Sequence, residues 1–346
     1  MSPRDPFLGV EAELRELSRA TTGSDVGGIE RLTGAGLAHR RFYRVTLDGV
    51  GPATLIARVD RGEPAPGVLP EPPLEPLRSF LEDAGLPVPR RLGGDAASGI
   101  DLLEDLGDAS LAQVLESANA QERRALYEEA CALAPRLQRL DDPSGRVPAF
   151  GRRLDAAVIR VKATRFAASG LPAALGRAAT PAERDVVFAA FATVAREAER
   201  APQRLAHRDF QSKNLILRRD PPGLVMIDLQ GALLAPPEYD LVCLLRDSYV
   251  VLDDGECSAL AEQVRPALPD APAADEFTRR FDLLTITRKA KDFALFHEVA
   301  ARGDTAWLRY APATLGYVRR ALGRAARTDA TLARLADVLG DDACAR

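Results

Sequence analysis

Apolar positions recur along this chain at two different spacings. In the first hundred residues they form short runs, Ile29–Leu32, Phe42–Leu47, Ala53–Val59 and Ile100–Leu103, separated by clusters of turn formers. Short β-rich runs bounded in this way read as strands. The first three predict an antiparallel meander, with a small-residue turn at Thr33-Gly34-Ala35-Gly36 and a second turn over Asp48–Pro52. A helix from Leu8 to Arg19 precedes them and ends at the breaker cluster Thr21–Gly28. The proline-rich stretch Gly62–Pro76 reads as a loop within the fold, followed by a helix from Leu77 to Ala84 that stops at Gly85 and Pro87.

From Ser110 onward the spacing becomes helical. Leu126, Ala130, Leu133, Leu137 and Leu140 mark one face, with Pro135 as an expected kink. Thr180-Pro181-Ala182-Glu183 combines an N-cap, a first-turn proline and a capping-box glutamate. The helix it opens buries Val187, Phe188, Phe191, Val194 and Ala195. Further helices are predicted over Ser258–Leu268, Asp275–Ala301 and Ala313–Ala326. One more β element interrupts the helices after Arg208. The plan is α+β with two lobes, residues 1–105 and 106–346, and no internal repeat.

Composition narrows the function. The 346 residues suffice for two well-buried lobes. With 46% apolar and 28% charged residues the chain is an ordinary globular one. A net charge of -4 argues against a nucleic-acid partner. No apolar run is long enough to suggest a membrane span, and Met1–Leu17 lacks the pattern of a secretory signal. Cys131, Cys243, Cys257 and Cys344 form no CxxC pair, so a reducing, cytoplasmic location is expected. Positive charge is almost all arginine: the lysines are Lys162, Lys213, Lys289 and Lys291.

Chemistry concentrates between His207 and Asp228. Leu215–Leu217 and Leu224–Ile227 are apolar runs joined by the turn-rich segment Arg218–Gly223, so a β-hairpin is predicted. A hairpin centred near Pro221 sets Asn214 opposite Asp228 at its open end. One amide oxygen and one carboxylate, presented together, suit Mg²⁺. Asp209 lies in the loop entering the same hairpin, where a carboxylate can orient a hydroxyl and accept its proton. Phosphoryl transfer depends mainly on such positioning and on charge neutralisation. His207-Arg208-Asp209, with Asn214 five residues on and then Asp228, follows the H-R-D-x-x-x-x-N pattern of kinases with their later metal-binding aspartate. His207 is expected to be structural.

Other motifs are absent or bland. There is no P-loop and no G-x-S-x-G, and His297-Glu298 lacks the second histidine of a zinc site. Arg288-Lys289-Ala290-Lys291 reads as a solvated helix face, with attraction of an anionic substrate as the alternative. Arg246-Asp247 reads as an internal ion pair.

These residues resemble the aminoglycoside phosphotransferase/choline kinase superfamily, and within it the bacterial anomeric sugar kinases acting on N-acetylmuramate and N-acetylglucosamine. The likeness extends over nearly the whole chain, including Arg40–Val45, Leu102–Gly107, Ile227–Gln230, Tyr239–Asp247 and Phe281–Leu284. It implies a bilobal protein-kinase-like fold, with a nucleotide-binding N-lobe and a catalytic, acceptor-binding C-lobe. It also implies ATP as co-substrate and an amino sugar as the favoured acceptor. By this resemblance Asp209 is the catalytic base, and Asn214 and Asp228 hold Mg²⁺. Backbone groups of Glu104, Asp105 and Leu106 bind adenine, and the loop with Thr33, Gly34 and Gly36 covers the phosphates. Asp240 ties down backbone in the C-lobe. Only eleven residues separate Asp228 from Asp240, too few for the activation loop of a protein kinase. The chain departs from the pattern in having no lysine on its third strand. Arg58 is the candidate replacement, with Arg41 or Arg44 as substitutes and Glu71 or Glu75 as partner. An aminoglycoside or amino alcohol acceptor is the alternative within the superfamily; a nucleotide-binding pseudokinase is the alternative outside enzymes.

Overall fold

A computed structural model of the chain describes residues 5–32, 40–49, 51–61 and 71–340. Five strands form the first sheet: β1 (Asp25–Leu32), β2 (Arg40–Asp48), β3 (Thr54–Asp60), β4 (Arg91–Asp95) and β5 (Ile100–Glu104). Their order is β1-β2-β3-β5-β4, and every neighbouring pair is antiparallel. Alternation gives the sheet two distinct faces, since residues paired across antiparallel strands point the same way. Tyr43, Val45, Leu55, Ala57, Val59, Ile100 and Leu102 share one face and form a core with Val10 and Leu14 of α1 (Val10–Thr22). The opposite face carries Arg40, Phe42, Arg44, Ile56, Arg58, Asp60, Asp101 and Leu103.

In this region two details differ from the expectation, and farther on the helix expected over Ser258–Leu268 runs Asp254–Val264. The first helix continues to Thr22, where Gly23 at φ 72° ends it with its N–H on Arg19 O, and Val26–Gly28 already belongs to β1. Strand β4 was not predicted, because Arg91-Leu92-Gly93-Gly94-Asp95 has a single large apolar residue and a bulge, and so shows no alternation.

The rest is mainly helical. After α2 (Leu77–Asp83) and the sheet come α3 (Leu111–Ser117), α4 (Ala120–Gln138, running through Pro135), α5 (Ala156–Arg165), α6 (Leu171–Leu175) and α7 (Pro181–Arg200). Short strands follow: β6 (Arg204–Ala206) pairs with β9 (Leu233–Ala235), and β7 (Leu215–Arg219) with β8 (Pro222–Met226). Helices α8 (Tyr239–Leu245), α9 (Asp254–Val264), α10 (Ala274–Ala301), α11 (Ala311–Ala325) and α12 (Ala330–Leu339) complete it. The capping box at Thr180 and Glu183 is formed as the motif implied. The large core includes Leu74, Leu77, Leu81 and Leu103, so α2 is packed into the seam between sheet and helical body. Helix α10, 28 residues long, is buried on nearly every side. No helix among the described residues is long and apolar enough to cross a membrane.

Candidate active site

The hairpin forms, but its register is one step from the expected one. Leu215 pairs with Met226 and Arg219 with Pro222, so the centre lies between Asp220 and Pro221. Asn214 therefore faces Ile227, whose N–H donates to Asn214 O at 3.0 Å, and not Asp228. Asp228 comes one residue later in a left-handed conformation, φ 64° and ψ 46°. That turn carries its carboxylate away from the strand direction. Asn214 Nδ2 donates to Asp209 O at 2.8 Å, which leaves Oδ1 as the acceptor end of the amide.

The loop before the hairpin is fixed from below. Asp240, in the first turn of α8, accepts from His207 N at 2.7 Å and Arg208 N at 3.0 Å. His207 Nε2 bonds Ile227 O at 2.9 Å, joining loop to hairpin, and its ring is buried. Arg208 is itself left-handed at φ 77°. Non-glycine residues at positive φ cost of order 1–3 kcal/mol and persist only when their surroundings impose them. Among the described residues three do so, and two of them, Arg208 and Asp228, flank this site.

Asp209 is one-quarter exposed, and its Oδ1 accepts from Arg288 Nη2 at 2.8 Å. Burial alone would push its carboxyl up, but Arg288, Lys291, Arg208 and His207 outweigh it and hold it well below the usual carboxylate range. Arg288 also donates to Asp292 at 2.8 Å, and Lys289 and Lys291 reach the same carboxylate at 3.1 and 3.3 Å. The cluster on α10 is therefore not a solvated face: Arg288 and Lys289 are fully buried, and Lys291 alone keeps partial exposure. The signal was available, because Phe281, Leu283, Leu284, Ile286, Ala290, Phe293 and Ala294 surround the helix and leave no polar face.

Above the hairpin, the cleft face of the sheet brings its arginines down. Arg58 is buried rather than on the surface, but its guanidinium is held by Asp101 at 3.1 Å and Asp60 at 2.5 Å. Burial and the neighbouring Arg40 push it down from the usual arginine value. Arg41 turns to Asp5 and Phe7, and Arg44 to Asp105 and Asp108. The cation that reaches the site is Arg40, not among the sequence candidates. It bonds Asp60 and Glu71, each at 3.1 Å, and lies 3.6 Å from Asp228 Oδ1. The β2 alternation Arg40, Phe42, Arg44 was the clue. Glu71 also pairs with Arg208 at 3.2 Å, whereas Glu75 pairs with Arg78.

At the connection between sheet and helices, the Asp105 side chain is taken by Arg44 and by Gly107 N–H. Glu104 bonds Arg90 through side chain and backbone. Leu106 N–H makes no hydrogen bond among the described residues. Thr33, Gly34 and Gly36 lie outside the described residues. Arg246 and Asp247 are not paired with each other: Arg246 binds Asp254, and Asp247 accepts from Ser212 and Tyr249 N.

A magnesium ion fits the donors present. Among the described residues no three His, Cys, Asp or Glu side chains converge on a metal cage. Asp228, whose Oδ1 accepts from Gln230 Nε2, and the Asn214 amide oxygen are oxygen donors of the kind Mg²⁺ takes alongside water and phosphate. Burial, with Asp209 and Glu71 nearby, pushes the Asp228 carboxyl up against the opposing pull of Arg40. A carboxylate disfavoured in this way by its neighbours is one that a cation would satisfy.

An antiparallel sheet above a helical body, with a clamped Asp loop and a hairpin between them, defines a protein-kinase-like fold. The sequence pattern of the phosphotransferase enzyme family matches residues 30–280, and the chain belongs to that family. It is 30% identical over 311 residues to the N-acetylmuramate/N-acetylglucosamine kinase of Neisseria meningitidis serogroup B, covering 88% of both chains. A Pseudomonas aeruginosa kinase of the same name is 30% identical over 268 residues, covering 73% of this chain and 75% of its own. Among solved structures, the choline kinase LicA from Streptococcus pneumoniae superposes with a TM-score of 0.61 at 14% identity, covering 94% of this chain and 99% of LicA. A gentamicin complex of the aminoglycoside phosphotransferase APH(2")-IIa gives 0.59 at 12% identity, covering 93% and 97%. The protein is a small-molecule kinase.

Proposed function

We propose that this kinase moves the γ-phosphate of ATP to the anomeric hydroxyl of an N-acetylated amino sugar, N-acetylmuramate or N-acetylglucosamine, in cytoplasmic cell-wall recycling. Residues 1–105 act as the nucleotide lobe and residues 106–346 as the catalytic and acceptor lobe. Leu106 N–H and the backbone of Glu104 meet adenine, and the Thr33–Gly36 loop covers the phosphates. Arg40 supplies the charge of the absent strand lysine, with Arg58 behind it. Asn214 and Asp228 hold Mg²⁺. When bound, that ion neutralises the charge on the phosphate oxygens.

The observation that carries the acceptor assignment is the charge around Asp209. On the α10 side of Asp209, Arg288, Lys289 and Lys291 outnumber Asp292, so a polycationic aminoglycoside or a choline-like alcohol meets repulsion from that side. A neutral sugar, or one bearing a carboxylate like N-acetylmuramate, does not. Asp209 is the residue that orients the attacking hydroxyl. Because its carboxylate is so strongly stabilised it is a weak base, and it matches a hemiacetal hydroxyl, which is more acidic than an ordinary alcohol.

The test is ADP release with Mg-ATP across amino sugars, aminoglycosides and amino alcohols, with phosphorus NMR of the product. N-acetylmuramate and N-acetylglucosamine should be turned over, giving phosphate coupled to the anomeric proton. Faster turnover of choline or an aminoglycoside would sink the assignment.

A further inference from the structure

Unlike Lys289 and Lys291, Lys213 is claimed by no carboxylate. Among the described residues none lies within ion-pair distance of its ammonium. Instead Nζ sits 3.8 Å from the ring centre of Tyr249, 4.8 Å from Trp307 and 5.2 Å from Tyr310. All three distances fall inside the cation–π range of about 6 Å. Three rings around one cation make an aromatic cage, the arrangement that recognises quaternary ammonium groups. Here the chain's own side chain fills it.

Hydrogen bonds and ring packing hold the cage together. Asp247 is fully buried and accepts from Ser212 N at 2.8 Å, Ser212 Oγ at 2.5 Å and Tyr249 N at 3.0 Å. One carboxylate thus ties the lysine's own loop to the first ring. Trp307 Nε1 donates to Asp304 at 2.9 Å, and Arg309 donates to the Tyr310 hydroxyl at 2.6 Å. Phe296 backs the group, stacked 5.9 Å from Trp307. The cage also adjoins the reaction centre. In sequence Lys213 falls between Asp209 and Asn214, and Phe296, packed against Tyr249 and Trp307, stands one helical turn after Asp292, which shares Arg288 with Asp209.

We propose that Lys213 is a specificity-determining residue: its ammonium plugs an aromatic cage beside Asp209, so that acceptors carrying a quaternary or protonated amine are excluded. The exclusion has two parts, the filled volume and the like charge. The plug also presents the remaining ammonium N–H groups to an uncharged or anionic acceptor. This rests on the phosphotransfer reading for the identity of the neighbouring acceptor, but the cage itself can be tested without nucleotide or turnover.

Trp307 is the single tryptophan of the chain, so intrinsic fluorescence reports on the cage directly. Tetramethylammonium chloride, titrated against sodium chloride at matched ionic strength, should leave wild-type emission unchanged. Lys213→Ala should gain a saturable change with a Kd of about 1–10 mM, and Lys213→Met, which refills the cage without charge, should show none. Equal binding by wild type and Lys213→Ala, or none by a folded Lys213→Ala at ~100 mM, overturns the proposal. Should Lys213→Ala not fold, selective ¹³C-lysine NMR of the wild-type chain decides. The ε-CH₂ resonance that disappears in Lys213→Arg should lie upfield of the random-coil position through ring currents, and an unshifted resonance overturns the plug. A null result in the ADP-release screen with a positive titration would count against the sugar acceptor and leave the plug standing.

Discussion

Asp209 and Arg288 form a contact in which each partner restrains the other. The carboxylate stays ionised, and the buried guanidinium has Asp209 and Asp292 as its two acids. Under the proposed reaction Asp209→Asn keeps the shape but removes the charge. Turnover should fall by about 10²–10⁴, while nucleotide affinity measured by calorimetry changes less than about threefold; retained turnover would remove Asp209 from the mechanism. Arg40 and Arg58 should separate by readout. Arg40→Ala should raise the KM for ATP roughly tenfold or more, since that guanidinium is the one at Asp228. Arg58→Ala removes one partner each from Asp60 and Asp101, which keep Arg40 and Arg91, and should cost about 1–3 kcal/mol in a urea titration. An unchanged unfolding midpoint would return Arg58 to the nucleotide.

The hairpin and α10 show what can be read from pattern and what cannot. Two apolar runs around a turn-rich segment announced β7 and β8, because alternation and turn chemistry are local properties. The register was missed by one step, since it depends on how the Asp220-Pro221 turn closes, and a period of two cannot specify that. On α10 the charged triplet looked solvent-facing because neighbouring charges normally are. Only the packing of other helices on every side made Arg288 and Lys289 interior. The start of helix α7 was legible from its capping box, though Phe188 proves only half-buried, and the cap offers a pH test. Hydrogen bonds from Arg177 and from Thr180 hold Glu183 down to about 2, below its ordinary value. A depressed carboxyl contributes stability above its unfolded pKa and loses it as pH falls through the folded value. The melting temperature of Glu183→Gln should therefore lie below wild type at pH 7. The gap should shrink as pH drops from about 4.5 towards 2; a gap independent of pH would show that the charge is irrelevant.

Across the whole chain, the fold class and the spacing of Asp209, Asn214 and Asp228 were visible because they lie within one short segment. Arg40 and Glu71 were harder. They come from separate parts of the sequence, and only sheet register and the path of the 71–76 segment carry them to Asp228. The cage around Lys213 is assembled from the hairpin loop, the segment after α8 and the turn before α11, three places with no shared motif. Local chemistry is written in order; clefts are not.

Arg40, Glu71 and Arg208 form an unbroken ionic chain from the sheet to the catalytic loop. Glu71 thus already pairs with both guanidiniums that an arriving phosphate would seek. Nucleotide entry becomes an exchange of one anion for another, not the discharge of a bare positive patch. Glu71 offsets part of the positive charge at that spot, so less of the attraction is left for added salt to screen. ATP affinity in the wild type should vary only weakly between 50 and 300 mM NaCl, roughly twofold. Glu71→Gln should bind more tightly at low salt and lose that advantage steeply as salt rises. Equal salt slopes in the two proteins would show that the glutamate is a bystander.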